Sequence, residues 1–198
     1  MRTERHVNQK RRRLHPEEAK SLIIQAAERL ITGQGASALT VRGIAAEADM
    51  NPSLVRYYYD TTEDLLIAFF RELADRHCRK IDEALGEKRP LQALWDLQTK
   101  APSGLMTMEI MSLGHRFEGL RHQLALHVDA VRTKATEFFR EKCAGSMENA
   151  GVDSPEGVAF IFLAVTAALV ADRGLGITTG NAEVIKRVDA WIAGLEGD

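Results

Sequence analysis

Hydrophobic positions along the chain recur at intervals of three and four, and the alternation of a half-buried strand is missing almost everywhere. A first helix is predicted from Pro16, with Glu17 and Glu18 in the first turn, where carboxylates favour the positive end of the helix dipole. Leu22, Ile23, Ala26, Ala27, Leu30 and Ile31 make its apolar stripe, and Gly33 and Gly35 end it. Thr40 begins a second, short helix with Val41, Ile44, Ala45 and Ala48 facing inward. Asp49-Met50-Asn51 reads as a turn, after which Pro52 opens a third helix, N-capped by Asn51 and ending around Tyr59. Asp60-Thr61-Thr62 then caps a long fourth helix carrying Leu65, Leu66, Phe69, Leu73, Ile81 and Leu85.

Beyond Gly86 the helical period persists. Pro90 opens a segment with Leu91, Leu94, Trp95 and Leu97, which Ala101-Pro102-Ser103-Gly104 breaks. Further helices are predicted from Leu105 to about Phe117, from about Leu120 to Met147, from about Glu156, and from about Ala182 to Leu195. The expectation is an all-α protein of nine helices in three parts: a flexible basic arm over 1–14, a small three-helix domain over 15–62 and a larger helical domain over 63–198. The apolar run from Val158 to Ala171 is shorter than the roughly 20 residues that span a bilayer, and it is read as a buried helix.

Charge changes this picture in one place. The chain has a net charge of −2, yet residues 1–62 hold ten Lys/Arg against seven Asp/Glu, and most of that excess lies in the first 15 residues. Arg2, Arg5, Lys10, Arg11, Arg12 and Arg13 face only Glu4 there. No apolar stretch follows this basic segment, so it does not read as a signal peptide. Two cysteines, Cys78 and Cys143, are too few for a disulfide framework or a structural zinc site, as in a reducing cytoplasm.

Two short helices joined by a three-residue turn and packed on a longer one have the geometry of a helix-turn-helix, whose second helix enters the major groove of DNA. With Val55 and Tyr59 turned to the core, Ser53 and Tyr57 project most directly away from it, flanked by Leu54, Arg56 and Tyr58. A hydroxyl, a guanidinium, phenols and an aliphatic group can donate to phosphates, read purine edges and touch thymine methyls. Ordinary core aromatics would also account for tyrosines here, but three consecutive residues of one helix cannot all face one core.

The stretch from Thr40 to Leu66 resembles the tetracycline-repressor (TetR) family of bacterial regulators. The resemblance rests on Leu39-Thr40-Val41-Arg42, Ile44-Ala45, Ala48, Pro52-Ser53-Leu54-Val55, the Tyr57-Tyr58-Tyr59 run, and Glu63 with Leu65 and Leu66. It implies a dimeric regulator on a palindromic operator, with an inducer pocket in the C-terminal part. It further implies that Arg42 contacts phosphate and that Ser53, Leu54, Arg56 and Tyr58 belong to the recognition helix, with Tyr57 either beside them or packed on sugar. Thr62 stands where the family usually has a basic residue, Tyr59 replaces the more frequent Phe, and Asp60 adds an acid. The expected DNA-contacting set is therefore Thr40, Arg42, Ser53, Leu54, Arg56, Tyr57, Tyr58 and Thr62, with Lys10, Arg11, Arg12 and Arg13 reaching along the duplex.

For the sensing half the expected inducer contacts are Trp95, Met106, Met108, Met111, His115, Arg116, Phe117, Phe138 and Phe162. Methionines adapt to irregular apolar ligands, though they are also common core filler, and His115 and Arg116 would equally form an ordinary solvated helix end. The Glu156 helix and the last helix, with Val184, Ile185, Val188, Trp191, Ile192 and Leu195 on one stripe, would build a four-helix interface about a two-fold axis, unless both are plain intramolecular core. No phosphate-cradling glycine loop, nucleophile elbow or metal spacing is present, so no enzymatic activity, cofactor or metal is expected. The reading is a cytoplasmic repressor released by a small, largely apolar inducer. Its alternatives are a dimeric structural DNA-binding protein and a helical enzyme or carrier on the same fold. Deleting residues 1–13 should weaken DNA binding and flatten its salt dependence, measured by titrating a duplex at several ionic strengths; unchanged affinity and slope would dismiss the arm.

Overall fold

A computed structural model describes residues 15–100, 104–142 and 154–196. Among these residues there are nine α-helices and no strand. Helices α1 (Pro16–Gln34), α2 (Val41–Glu47) and α3 (Pro52–Tyr58) come first, with a 3₁₀ turn at Ala36–Ala38 between the first two. They are followed by α4 (Thr62–Leu85), α5 (Pro90–Thr99), α6 (Gly104–Gly114), α7 (Glu118–Lys142), α8 (Pro155–Leu175) and α9 (Asn181–Glu196). The expected end of the seventh helix near Met147 and the arm over 1–14, with Lys10, Arg11, Arg12 and Arg13, lie outside the described residues.

Two hydrophobic clusters organise the chain, and α4, roughly 36 Å long at 1.5 Å per residue, runs through both. The first holds Ile23, Ala26, Leu30 and Ile31 of α1, Ile44 and Ala45 of α2, Val55 of α3, and Leu65, Leu66, Phe69 and Phe70 of α4. It also takes in Ile110 and Leu113 of α6 and Leu120 of α7, so the small N-terminal helices share their core with the α6–α7 corner. The second cluster joins Ile81 to Leu91, Leu94 and Trp95 of α5, to Val131, Ala135, Phe138 and Phe139 of α7, and to Val158, Ala159, Phe162 and Leu169 of α8. Phe139 sits at its centre, with ring centroids 5.9 Å from those of Phe138, Phe162 and Trp191. Such offset and edge-on pairs add about 0.5–1.5 kcal/mol each beyond the area they bury.

The outer helices depart from the sequence expectation. Read as a buried helix, α8 is buried on one side only: Val158, Phe162, Thr166 and Leu169 face inward, while Phe160, Ile161 and Leu175 are 50%, 63% and 62% exposed. The reason is that its apolar residues lie all round the helix, whereas α5, α6 and α7 cover one face. The α9 stripe divides along its length. Ile192 is fully buried and Val188, Trp191 and Leu195 pack beside it, but Val184 and Ile185 remain exposed. The end of α9 is pinned by Glu196, which accepts the Leu91 N–H at the start of α5 at 2.5 Å and lies 3.6 Å from Arg89.

Between the two clusters lies a polar layer. The Nδ1 of His77 on α4 and the Nε2 of His127 on α7 are 3.0 Å apart, one ring donating and the other accepting. Cys78 Sγ stands 3.8 Å from the other nitrogen of His127, and Phe70 meets the same ring edge-on. Burial, and then the neighbouring His77, pull the His127 pKa down to about 4, against the opposing pull of Asp75. Burial likewise lowers His77, with Gln98 opposing and Lys80 reinforcing the shift, and it raises the Cys78 thiol. An unfolded His127 takes up its proton near its ordinary 6.5, while the folded one stays neutral until about 4. Stability therefore falls as pH drops through that window. Solvent reaches the half-exposed pair, so the expected loss is only about 1–2 kcal/mol. Urea unfolding between pH 7 and pH 4 should show this loss, and His127→Gln should remove at least half of it; equal pH dependence in both proteins would contradict the assignment.

Candidate nucleic-acid interface

Local chemistry sets the reading head. The Thr40 hydroxyl caps α2 by accepting the Gly43 N–H at 3.0 Å. Position 43 has to be glycine, because a Cβ there would stand 2.5 Å from the Ala38 carbonyl oxygen. The chain then reverses through Asp49, whose φ of 53° is the left-handed conformation that Asp tolerates better than most residues. Asn51 caps α3 by accepting the Ser53 N–H at 2.9 Å, and Pro52 supplies its first turn. Val55, fully buried, anchors the short helix on the first cluster.

On the opposite side α3 is open. Tyr57 is 77% exposed, Ser53 and Arg56 are exposed, and Leu54 and Tyr58 are half-buried. Tyr58 and Tyr59 pack partly on the core, so among the three tyrosines it is Tyr57 that stands free, with the Tyr58 ring edge-on to it at 5.1 Å. Burial, followed by the charge of Glu17, raises the Tyr59 pKa. Arg42 is exposed on α2, and among the described residues neither Arg42 nor Arg56 takes part in an ion pair. Thr40, Arg42, Ser53, Arg56 and Tyr57 thus come to solvent on neighbouring elements, and Thr62 begins the next helix.

The acids of this region are less free than their number suggests. Glu17 pairs with Lys20 at 3.1 Å, Glu28 with Arg76 at 2.7 Å and Glu47 with Arg29 at 2.6 Å. At the start of α4, Thr61 and Asp64 form a reciprocal capping box, in which the Thr61 hydroxyl accepts the Asp64 N–H and the Asp64 carboxylate accepts the Thr61 N–H. A carboxylate thus already occupies the end of α4 where Thr62 was expected to contact DNA. Sequence reading passed over this box although its Thr-x-x-Asp spacing is local. Glu63 stands out in the sequence only as part of the family pattern; its carboxylate accepts the Gly119 N–H at 2.6 Å, a bond for which no local signal exists.

The residues expected to surround an inducer are not gathered in one place. Trp95, Phe138 and Phe162 are buried within the second cluster, Met106 and Phe117 lie against the first, and Met108, Met111, His115 and Arg116 are exposed. Arg116 lies over the Phe117 ring at 5.7 Å. Two open grooves are present. One of about 360 Å³ between α1 and α4 is lined by Glu17, Lys20, Glu28, Tyr59, Glu72 and Arg76, among others. The second, about 370 Å³ between α5, α8 and α9, is bordered by Gln92, Trp95, Asp96, Thr99, Lys100, Arg173, Ile185 and Asp189. Among the described residues no group of three or more His, Cys, Asp or Glu is placed to hold a metal ion.

Comparison with known proteins agrees with the N-terminal geometry. Residues 23–69 match the family of bacterial regulatory proteins known as the tetR family. A curated relative, an uncharacterized HTH-type transcriptional regulator from the dhlA 5′ region of Xanthobacter autotrophicus, is 32% identical over 96 residues. That match spans 48% of this chain and 44% of the relative, so the chain covers less than half of that protein's length. Among solved structures, a TetR transcription regulator of Haloarcula marismortui has a TM-score of 0.72 at 22% identity, covering 89% of this chain and 97% of its own. Salmonella enterica GusR has a TM-score of 0.65 at 18% identity, covering 93% and 98%. At these identities the structures speak for the fold alone, and residues 23–69, about a quarter of the chain, are similar to the tetR family of bacterial regulatory proteins.

Proposed function

We propose that the protein is a DNA-binding transcriptional regulator that acts as a dimer on a palindromic operator, in the cytoplasm. The observation that carries this reading is the α3 surface: a capped, core-anchored helix of seven residues offering Ser53, Arg56 and Tyr57 to solvent beside an unpaired Arg42 on α2. Arg56 is suited to the N7 and O6 of guanine or to a phosphate, Tyr57 to a phosphate or sugar, and Arg42 to the backbone. The likeness of residues 23–69 to a family of bacterial regulatory proteins supports this reading. Glu17, Glu28 and Glu47 are held in ion pairs, and among the described residues Arg42 and Arg56 are the guanidinium groups of the reading head left open to a duplex.

The dimer reading rests on the uncovered side of α8 and the first half of α9. Phe160, Ile161, Val184 and Ile185 are large apolar side chains exposed on these two helices, with the Arg132 guanidinium over one face of the Phe160 ring. By length and composition α8 would also suffice to cross a membrane, but its other face is committed to Trp95 and Phe139 through Phe162. Two copies pairing α8 and α9 about a two-fold axis would bury the open side and present two recognition helices.

Repression relieved by a small molecule is the finer part of the proposal. Its support is the groove beside Trp95, lined by the apolar Trp95 and Ile185 and by the charged Asp96, Lys100, Arg173 and Asp189. It suits a small amphipathic molecule, and its contact with Ile185 sets it next to the proposed dimer face.

A duplex recovered by selection from random sequence tests the first claim. Arg56→Ala and Arg42→Ala should each weaken binding about tenfold, and Arg42→Ala should lower the salt slope by about one. Failure of the wild-type protein to retain any duplex at low salt would overturn the DNA reading. Ile161→Glu should convert the dimer to a monomer in analytical ultracentrifugation, since a charge placed in an apolar interface is left unpaired; an unchanged dimer would remove α8 from the interface.

A further inference from the structure

Two carboxylates tie the reading head to one corner of the larger helical body. Glu63, the second residue of α4, accepts the N–H of Gly119 at the start of α7, 56 residues away, at 2.6 Å. Glu109, at the middle of α6, accepts the N–H of Ala36 in the connector between α1 and α2, at 2.8 Å and 73 residues away. Both partners are main-chain amides, and among the described residues neither carboxylate joins an ion pair.

The surrounding geometry is built for this contact. A Cβ on Gly119 would lie 2.8 Å from Glu63 Oε1 and 2.8 Å from Ile67 Cδ1, so a larger residue there would push the Glu63 carboxylate off its bond. Gly114, at the other side of the corner, would bring a Cβ to 2.7 Å from Leu124 Cδ1. Gly35, under the Glu109 carboxylate, holds φ at +78°. Glu63 meets α7 at its N-terminal turn, where an anion is favoured by the helix dipole. Beneath both bonds Ile110, Leu113 and Leu120 contribute to the core of the reading head, but apolar contact is non-directional and lets packed surfaces slide. A charge-assisted bond to a fixed N–H does not.

We propose that Glu63 and Glu109 are positioning residues that lock the α1–α3 reading head to the α6–α7 corner, and so set the spacing between DNA half-sites that the dimer accepts. This rests on the dimeric DNA-binding reading above. Neither carboxylate needs to touch DNA. One bond holds the end of the head that follows α3 and the other holds the end that precedes α2, so the orientation of α3 is fixed from both sides.

The test uses the full chain and a duplex selected from random sequence with the wild-type protein, together with versions of it carrying one or two base pairs added or removed at the dyad. The wild type should discriminate at least tenfold between the best and the altered spacings. Glu63→Ala with Glu109→Ala should bind all spacings within about threefold of one another, while binding to a duplex with a single half-site stays unchanged. Glu63→Gln with Glu109→Gln loses the same two charges but keeps an acceptor oxygen, and it should restore discrimination. Discrimination retained by the Ala pair, or lost equally by the Gln pair, would overturn the proposal. Gly119→Ala, which keeps Glu63 but displaces it, serves if the Ala pair does not fold, and it should also blunt discrimination. If the wild type selects no duplex, the DNA reading fails and the spacing role with it. Amide hydrogen exchange still judges the lock separately: the Ala36 and Gly119 amides should exchange at least tenfold faster in Glu109→Ala and Glu63→Ala respectively, and unchanged rates would refute it.

Discussion

The shared core between the N-terminal helices and the α6–α7 corner is the constraint on which the rest of the molecule depends. Helices α2 and α3 have seven residues each, too few to persist alone, and between them they bury only Ile44, Ala45 and Val55. Their stability comes from α1, from the first half of α4, and from Ile110, Leu113 and Leu120, which arrive from far along the chain. A fragment ending at Thr62 would leave Ile23, Leu30 and Val55 facing water where Leu65, Phe69 and Leu120 now lie. The reading surface is in this sense a product of the whole fold, although its residues are contiguous in sequence.

The second cluster makes a different kind of unit. Its aromatic rings interlock around Phe139, and Trp95 meets Phe162 with ring centroids 5.8 Å apart. Helix α4 spans both clusters, and the His77–His127 pair marks the level at which one gives way to the other. Polar groups half-buried between two apolar cores satisfy each other across α4 and α7, which fixes how the two helices register along their length.

What the sequence made legible was local. Helix periodicity, the Asn51 cap, Pro52 at the start of α3 and the free side of that helix all follow from spacings of one to four residues, and the structure has them where they were expected, while Thr40, expected to begin α2, caps it instead. Pairings across tens of residues left no such trace. Glu28 with Arg76, Glu63 with Gly119 and His77 with His127 are each about fifty residues apart, so no local pattern announces them. A count of charges likewise does not show that Glu28 is engaged by Arg76 and Glu47 by Arg29. The methionines of α6 misled for a related reason: period and composition identify an apolar helix, but not which neighbour will cover which side. Met106 turned toward the first cluster while Met108 and Met111 stayed in solvent.

The cap of α3 has a consequence for what the helix can read. Ser53 gives its hydroxyl proton to the Asn51 side-chain oxygen at 2.8 Å, while its backbone N–H bonds the same atom. Toward a duplex the Ser53 oxygen therefore presents lone pairs and no hydrogen. Phosphates carry no proton to offer it, but the exocyclic amines of adenine and cytosine do. A residue that looks like a general-purpose hydroxyl is turned by its own cap into a receiver, better matched to the edge of a base than to the backbone around it.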